Sequence, residues 1–545
     1  MAKFDHDVIV IGSGFGGAVS ACRLAEAGMK VLVLERGRRW TPDTYPRNPH
    51  DAWLWNQDQP EHFNGWADLR TFSDMWVAAG AGVGGGSLIY ANVSVDAKPE
   101  VFDKKWPTGV NHATLKPYYD RVGQMLGLSP IPDNQLTARY WLMKEGAEKL
   151  GWGDRFHKVP LAVSFDPGFD PERAPARADS HSRPWTNPHG VQQGTCVHCG
   201  NCGIGCQVKA KNTLDLNYLA VAERHAAEIR PLHLVVMVEP LRAADGASGA
   251  AAASSGGAGS GYRVHFDRLD GGKRHRSSAT AARVILAAGS IGSTELLLRS
   301  RDEFRTLPRL SARLGKGWAF NGDFVTPTFY KGRQVLPSHG PTISSAIDLL
   351  DGVYKNQALF IEDGGVPNLA ADFIAQRLKS LPGGRLNKLW KELGRHADVQ
   401  DPLDGLMPWF GQAVDAADGE LYLGRLWYMP WRRTLKMHWD YQASEATVNA
   451  MVEVHQQLSA ATGGTPFVPP TWAVAKNLIT PHPLGGCNMA DSANDGVVDS
   501  YGRVFNYPGL HVMDGATLPR AIGLNPSKTI AALAERGAER LVKTA

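Results

Sequence analysis

Near its start the chain reads Asp7-Val8-Ile9-Val10-Ile11-Gly12-Ser13-Gly14-Phe15-Gly16-Gly17, a short apolar run that leads into a cluster of glycines. A helical pattern follows over residues 18–28, and a second apolar run over residues 31–34 ends in Glu35. This order predicts strand, tight turn, helix and strand, which is how a doubly wound α/β domain that binds a dinucleotide begins. We therefore expect an α/β protein.

The glycines of this turn have separate expected tasks. Gly12 permits the turn, Gly14 lets the backbone approach a pyrophosphate, and Gly17 lets the helix pack closely on the strand. Glu35 lies about where a ligand of the ribose hydroxyls belongs. We predict that these four residues and Phe15 bind the cofactor, which this turn alone leaves open between FAD and NAD.

A second glycine-rich loop narrows the choice of cofactor. Residues 79–90 read Ala-Gly-Ala-Gly-Val-Gly-Gly-Gly-Ser-Leu-Ile-Tyr, and apolar residues flank the glycines. Glycine at this density allows a backbone to come very close to a ligand. A second loop around the cofactor favours the longer FAD, and the candidate contacts are Gly80, Gly82, Gly85, Gly86 and Ser87.

Later segments return to the same domain. Residues 283–290 predict a strand that ends in a turn at Gly289, and a helical pattern follows. Towards the C-terminus, residues 482–487 read His-Pro-Leu-Gly-Gly-Cys, and residues 523–526 read Gly-Leu-Asn-Pro before an alanine-rich helix. Pro526 fits the first helical position and Asn525 the cap before it. The cofactor domain is therefore predicted to be discontinuous.

Taken together, these motifs resemble the glucose-methanol-choline (GMC) oxidoreductases, and within them the cholesterol oxidase-like branch. Many members of the family carry proline where this chain has Thr294. The threonine resembles the steroid-oxidising branch of the family. The resemblance implies a Rossmann-like FAD domain formed by residues 1–40, 213–315 and 476–545. It also implies a substrate domain formed by residues 41–212 and 316–475 and built on an antiparallel sheet, so that the whole is α+β.

The resemblance also implies site residues. His482 and Asn525 would face the reactive flavin nitrogen around a substrate hydroxyl, with His482 taking the hydroxyl proton while hydride leaves for the flavin. Glu362 follows an apolar run and is the candidate for moving a proton that isomerises a steroid double bond. A carboxylate on a surface turn is the alternative for Glu362. Further cofactor contacts are implied at Gly289, Asp514, Gly515, Asn525 and Pro526.

Four of the six cysteines form a ladder with the spacing C-x2-C-x2-C-x3-C, namely Cys196, Cys199, Cys202 and Cys206. This clustering predicts thiolate ligation of a metal centre. Gln207 follows the fourth cysteine where two-cluster ferredoxins carry proline. An iron–sulfur cluster (3Fe-4S or 4Fe-4S) is the first reading, with zinc, free thiols and disulfides as alternatives.

Composition limits the possible partners and location. A net charge of +4 over 545 residues, without a basic block, disfavours nucleic acid. Neither a signal peptide nor a transmembrane stretch is apparent, so we expect a cytoplasmic protein. The expected substrate is a 3-hydroxysteroid or another bulky apolar alcohol, which Trp427, Trp431 and Trp439 would suit, with packing in the core as the alternative for these tryptophans.

Two other functions remain open from the sequence. One is the oxidation of a sugar or polyol, and the other is an electron-transfer flavoprotein subunit that does not oxidise alcohols. Electrons would pass to oxygen or, through a cluster in the cysteine ladder, to an external carrier.

Overall fold

The computed structural model describes residues 4–173, 178–241, 261–367, 403–426, 429–473 and 476–544. In chain order the strands are β1 His6–Ile11, β2 Val31–Leu34, β3 Leu54–Trp55, β4 Ala67–Thr71, β5 Met75–Gly80, β6 Phe156–Lys158, β7 Trp185–Thr186, β8 Gln192–Gln193, β9 Glu228–Arg230, β10 His233–Pro240, β11 Tyr262–Asp270, β12 Lys273–Leu286, β13 Lys316–Trp318, β14 Phe324–Phe329, β15 Ser345–Tyr354, β16 Gln357–Asp363, β17 Leu406–Ala413, β18 Gly419–Leu426, β19 Met429–His438, β20 Thr465–Pro466, β21 Leu478–Thr480 and β22 Leu510–Val512. The α-helices are α1 Phe15–Glu26, α2 His112–Leu126, α3 Ala138–Lys149, α4 Tyr218–Arg224, α5 Gly289–Leu298, α6 Tyr441–Thr462, α7 Pro470–Ala473 and α8 Ser527–Lys543.

A mostly parallel sheet contains the N-terminal motif. Strand β1 pairs in parallel with β2 and with β12, and β9 and β22 extend the parallel part. Strands β10 and β11 add an antiparallel edge. Residues 8–11 of β1 are at most 4% exposed because helices cover the sheet, which explains their uninterrupted apolar sequence. This confirms the predicted Rossmann-like domain.

A six-stranded antiparallel sheet forms the second layer, with the order β20-β14-β17-β16-β15-β6. Helix α6 packs on β14, β16 and β17 of this sheet. The predicted antiparallel sheet is thus confirmed. All its strands lie within residues 41–212 and 316–475, and the parallel-sheet strands lie within the other three predicted segments.

A smaller sheet joins the predicted domains. Strand β21 pairs in parallel with β5, with Leu478 opposite Met75 and Thr480 opposite Val77. The first of these strands lies in a predicted cofactor segment and the second in a predicted substrate segment. The two sets of segments therefore share hydrogen-bonded structure, and the proposed domain division stays a prediction.

The start of the last helix differs from the sequence-based expectation. Helix α8 begins at Ser527, and Pro526 occupies the N-cap position with φ −83° and ψ −9°. The side-chain oxygen of Asn525 has no hydrogen-bond partner among the described residues, and its amide nitrogen is directed to Glu362. The prediction that Asn525 caps this helix was therefore wrong, because the N-cap position falls on Pro526 and the side chain of Asn525 is oriented by a buried carboxyl group.

Among the described ranges, no helix is both long enough and apolar enough to cross a membrane.

Candidate active site

A cavity of about 920 Å³ is lined both by the glycine turn after β1 and by strand β17 of the antiparallel sheet. A cavity of this size suits a cofactor together with part of a substrate. The predicted site residues that line it are Gly12, Gly14, Phe15, Glu35, Gly80, Gly85, Gly86, Gly289, His482, Asp514, Gly515, Asn525 and Pro526. Gly17, Gly82, Ser87 and Glu362 are outside this lining.

Two kinds of glycine surround the cavity. A Cβ atom on Gly12 would lie 2.4 Å from the carbonyl oxygen of Ala287, and one on Gly17 would lie 2.1 Å from the carbonyl oxygen of Gly12. In contrast, the nearest atom to a Cβ on Gly14 is 3.9 Å away, and a Cβ on Gly86 meets no atom within 4 Å. The first pair allows close backbone packing, whereas the second pair leaves bare backbone facing open space, as an FAD cradle requires.

Gly82 and Ser87 shape the second glycine loop rather than line the cavity. A Cβ on Gly82 would lie 2.5 Å from the ring of Trp40. The hydroxyl of Ser87 donates to the Gly84 carbonyl at 2.7 Å and accepts the backbone N–H of Leu214 at 3.1 Å. Both residues therefore hold the loop in the shape that presents Gly85 and Gly86.

Two carboxylates occupy positions suited to the cofactor. Glu35, at the end of β2, accepts the hydroxyl of Ser13 at 2.6 Å and the backbone N–H of Gly37 at 2.9 Å. Asp514 accepts the hydroxyl of Ser293 at 2.5 Å and the backbone N–H of Gly289 at 2.9 Å. Burial raises the pKa of Asp514 to about 6 despite these donors.

His482 also lines the cavity and is held by a carboxylate. Its Nδ1 atom is 2.8 Å from Oδ1 of Asp323, which is 2% exposed in its side chain. Burial raises the pKa of Asp323, and hydrogen bonds from His482 and Thr480 oppose the increase. Because Nδ1 is engaged, Nε2 is the ring nitrogen left to meet a ligand in the cavity.

Asn525 connects the cavity to Glu362. Its Nδ2 atom lies 3.4 Å from Oε2 of Glu362, which also accepts the side-chain amide of Gln412 at 3.2 Å. Glu362 is fully buried on β16, which excludes the reading of it as a surface carboxylate. Burial holds the pKa of Glu362 well above its ordinary value, and the nearby Asp363 and Asp323 add to the effect.

Asp323, Gln412 and Asn321 join the site although the sequence did not reveal them. Asp323 comes just before β14 and is 159 residues away from His482 in the chain. No spacing rule links an acid in one strand connection with a histidine in another, so only the folded sheet could have identified it.

Of the three tryptophans predicted to favour an apolar substrate, the structure describes two. Trp439 is 5% exposed and packs against Phe320 with ring centroids 5.3 Å apart, as a core residue does. Trp431 is 79% exposed and contributes to the lining of the cavity. Trp427 lies outside the described residues.

The cysteine ladder forms a loop beside the second glycine loop. All six cysteines are free thiols, so the disulfide alternative is not observed. The Sγ atom of Cys206 accepts the backbone N–H of Ala210 at 3.2 Å. Burial is the main cause that raises the pKa of Cys196, and the nearby cysteine thiols raise it further. Over the residues that the structure describes, no three His, Cys, Asp or Glu side chains form a group that could hold a metal ion. The metal centre is thus without geometric support and stays a prediction.

Lys211 ties the cysteine loop to the cofactor cavity. Its Nζ atom, in a side chain 1% exposed, donates to the carbonyls of Leu88 and Tyr90 at 2.9 Å each and of Cys202 at 2.7 Å. Tyr90 lines the cavity. The ladder and the cavity are therefore separated by about one layer of residues.

The fold and cavity are those of a dinucleotide-dependent oxidoreductase. The family model for GMC oxidoreductases matches residues 419–534, and that for the NAD(P)-binding Rossmann-like domain matches residues 10–75. A cholesterol oxidase of Acinetobacter baumannii is 31% identical over 98% of this chain and 94% of that protein. A cholesterol oxidase of Mycobacterium tuberculosis is 32% identical over 98% of this chain and 91% of that protein.

Among solved structures, pyridoxine 4-oxidase from Mesorbium loti superposes with a TM-score of 0.61 at 16% identity, covering 98% of both chains. This likeness concerns the fold alone. The chain belongs to the GMC oxidoreductase family, in its cholesterol oxidase-like branch. It is an FAD-dependent enzyme that acts on the CH–OH group of a small-molecule alcohol.

Proposed function

We propose that this enzyme oxidises the hydroxyl of a 3-hydroxysteroid, or of another bulky apolar alcohol, to a carbonyl. The observation that supports this most is that His482 and Asn525 line the same cavity as the glycine turn, with the buried Glu362 hydrogen-bonded to Asn525. The named activity of the two cholesterol oxidase relatives supports the same substrate class.

The side chains divide the work at the substrate oxygen. His482 accepts the hydroxyl proton at Nε2, because Asp323 occupies Nδ1. Asn525 hydrogen-bonds the same oxygen and fixes its angle. Bound FAD, held by the two glycine loops and Glu35, would supply the hydride acceptor for the carbon.

Glu362 is suited to a second proton transfer. A carboxyl group with a raised pKa can hold a proton near neutral pH and return it to a neighbouring carbon. Its Oε1 atom has no hydrogen-bond partner among the described residues, and neither has Oδ1 of Asn525. We propose that this group isomerises a steroid double bond after oxidation.

An apolar lining supports an apolar substrate. The cavity residues contributed by the antiparallel sheet and its adjoining loops are largely uncharged, and they include Val325, Ile343, Val366, Pro408 and Phe410. Placing an apolar ring system against such side chains contributes roughly 25 cal/mol for each Å² removed from water. A sugar or polyol would gain little from this surface.

An anaerobic visible spectrum before and after addition of alcohol tests the proposal. We expect a 3β-hydroxysteroid to bleach the flavin bands, while the corresponding 3-ketosteroid and a polyol leave them unchanged. Bleaching by a polyol but not by the steroid would support sugar oxidation instead. If no alcohol bleaches a fully loaded flavin, the electron-transfer subunit without alcohol oxidation becomes the better function.

We further propose that electrons leave through an iron–sulfur cluster on the four ladder cysteines to an external carrier, with direct reaction with oxygen as the alternative. The C-x2-C-x2-C-x3-C spacing and the link through Lys211 to the cavity wall support this route. The free thiols also support a cytoplasmic location.

Metal analysis of anaerobically purified protein tests the cluster. We expect several iron and sulfide equivalents per chain, and we expect Cys199→Ser to lose them while it keeps FAD. Cys487→Ser, at a buried cysteine outside the ladder, serves as the matched control. One zinc per chain, or no metal, would contradict the cluster without affecting the proposed alcohol oxidation.

A further inference from the structure

We propose that Asp323 is the positioning residue of the proton acceptor: it holds His482 with its proton on Nδ1, so that the Nε2 lone pair faces the substrate. This inference rests on the proposed function and adds a residue to it. Asp323 does not line the cavity, so it acts through His482 rather than on the substrate.

The hydrogen bonds around Asp323 fix the direction of this contact. Oδ1 meets Nδ1 of His482 at 2.8 Å, and Oδ2 accepts the hydroxyl of Thr480 at 2.5 Å. The Thr480 hydroxyl also accepts the backbone N–H of His482 at 2.9 Å, which fixes the main chain of the histidine. An ionised carboxylate only accepts hydrogen bonds, so it selects the tautomer with hydrogen on Nδ1.

The same carboxylate stabilises the protonated ring. When Nε2 takes the hydroxyl proton, the imidazolium lies against a buried negative charge, where the attraction is stronger than in water. Asp323 also lies close enough to Glu362 on β16 for its charge to raise the pKa of that carboxyl group. The pairing therefore gives His482 a fixed orientation and places a carboxylate beside the ring that receives the proton.

The turn that carries Asp323 also holds the segment that leads into Asn525. Asn321 accepts the backbone N–H groups of Ile522 and Gly523 at 3.0 Å each, and its Nδ2 atom donates to the carbonyl of Leu524 at 2.9 Å. Asn525 follows directly. Residues 321–323 thus set the histidine segment and the asparagine segment relative to each other.

This turn is anchored to the antiparallel sheet. The carbonyl of Asn321 accepts the N–H of Ala413 on β17 at 3.0 Å, and Asp415 accepts the N–H of Phe320 at 2.7 Å. A Cβ on Gly322, where φ is +67°, would lie 2.5 Å from the backbone nitrogen of Ala413. The substrate sheet therefore determines where the proton acceptor stands.

The test compares Asp323→Asn with Asp415→Asn by stopped-flow reduction of the flavin under anaerobic conditions. We expect Asp323→Asn to keep its FAD and its apparent substrate affinity but to lower the limiting reduction rate by about 10²–10⁴-fold.

Asp415→Asn is the matched control, since it alters a buried aspartate that contacts the same turn but not His482. We expect its limiting rate to stay well above that of Asp323→Asn, because asparagine still offers an oxygen to the N–H of Phe320. If Asp323→Asn retained FAD with an unchanged limiting rate, the proposal would be wrong. If wild-type flavin were not reduced by any alcohol, the proposed function itself would fail instead.

A measurement on the unmodified holoenzyme covers the case in which the variant does not fold. Nitrogen NMR of histidine-labelled protein, with His482→Gln used to assign the signal, reports the tautomer directly. Hydrogen on Nδ1 and an unprotonated Nε2 supports the proposal. The opposite tautomer overturns it.

Discussion

The two walls of the cavity were assembled in different ways. On one wall, Gly12, Gly14, Phe15 and Glu35 come from 24 consecutive residues of a strand, turn, helix and strand. The other wall, which we call the catalytic wall, consists of His482 and Asn525 with Asp323 and Glu362 hydrogen-bonded behind them, and these four residues come from separate parts of the chain. The cofactor wall depends on local backbone shape, whereas the catalytic wall depends on how distant strands pack.

Because of this difference, we expect mutations in the two walls to change different properties of the enzyme. A change in the cofactor wall should abolish binding of the flavin, because no other segment can replace the shape of the turn. A change in the catalytic wall should leave the flavin bound and alter rate, product or stability.

The largest effect is expected for Gly12→Ala. Its Cβ would lie 2.4 Å from the Ala287 carbonyl, and its φ of +95° strains any residue with a side chain. We expect the purified variant to have lost nearly all flavin absorbance. Gly28→Ala is the control, because φ there is +81° but a Cβ meets no atom within 4 Å; flavin retained equally in both variants would contradict the steric argument.

His482→Gln tests the catalytic wall. Glutamine can still hydrogen-bond but cannot serve as the proton acceptor, so the anaerobic rate of flavin reduction should fall by about 10²–10⁴-fold while FAD content is unchanged. His455→Gln is the comparison, because that buried histidine packs under the antiparallel sheet beside Thr326 and outside the cavity. Wild-type rates in His482→Gln would remove this residue from the mechanism.

Glu362→Gln should separate the two proposed proton transfers. The amide keeps the size of the carboxyl group but cannot carry a proton, so alcohol oxidation should persist while isomerisation falls by about 10²-fold or more. Chromatography of the steroid products should then show the unisomerised ketone. An unchanged product ratio would rule out Glu362 as the isomerising group.

The smallest effect concerns the pH dependence of stability. Because burial raises the pKa of Glu362 above its ordinary 4.5, the folded protein keeps this proton at pH values where the unfolded chain has released it. Its contribution to stability is thus complete below the unfolded pKa and is lost as pH rises towards the folded pKa. The slope of the loss is at most about 1.4 kcal/mol per pH unit.

Glu362→Gln lacks this titration. Over the pH range above the ordinary value of 4.5, the melting temperature of the wild type should therefore fall relative to that of the variant, as measured by calorimetry of both proteins. A constant difference across this range would show that the pKa of Glu362 is not raised in the folded protein.

The sequence predicted more of the cofactor wall than of the catalytic wall for a physical reason. The helix α1 must start at a glycine turn for its N-terminus to meet a phosphate, and such a requirement leaves a fixed spacing in the chain. The buried strand likewise needs an unbroken apolar run. His482, Asn525 and Glu362 were found through motif resemblance, whereas Asp323 and Gln412 left no local pattern.

The end of the chain shows the limit of local reasoning. Asn before Pro satisfies the usual preferences of a helix start, yet Asn525 directs its amide to Glu362. The hydrogen bond between this amide and the buried carboxyl group satisfies two buried polar groups at once. This contact could not be predicted from the sequence, because it requires strand β16, which carries Glu362, to pack beside Asn525.

The sequence by itself determined the strand, turn and helix of the cofactor site and the cysteine spacing, since each depends on residues that are neighbours in the chain. It also determined the family resemblance, because each motif behind that resemblance is a short local pattern. The tertiary structure alone decided that Asp323 holds His482, that Gln412 and Asn525 share Glu362, and that Lys211 joins the cysteine loop to the cavity. These contacts form where burial removes water, so that each polar group must take whichever partner the packed sheets bring within reach.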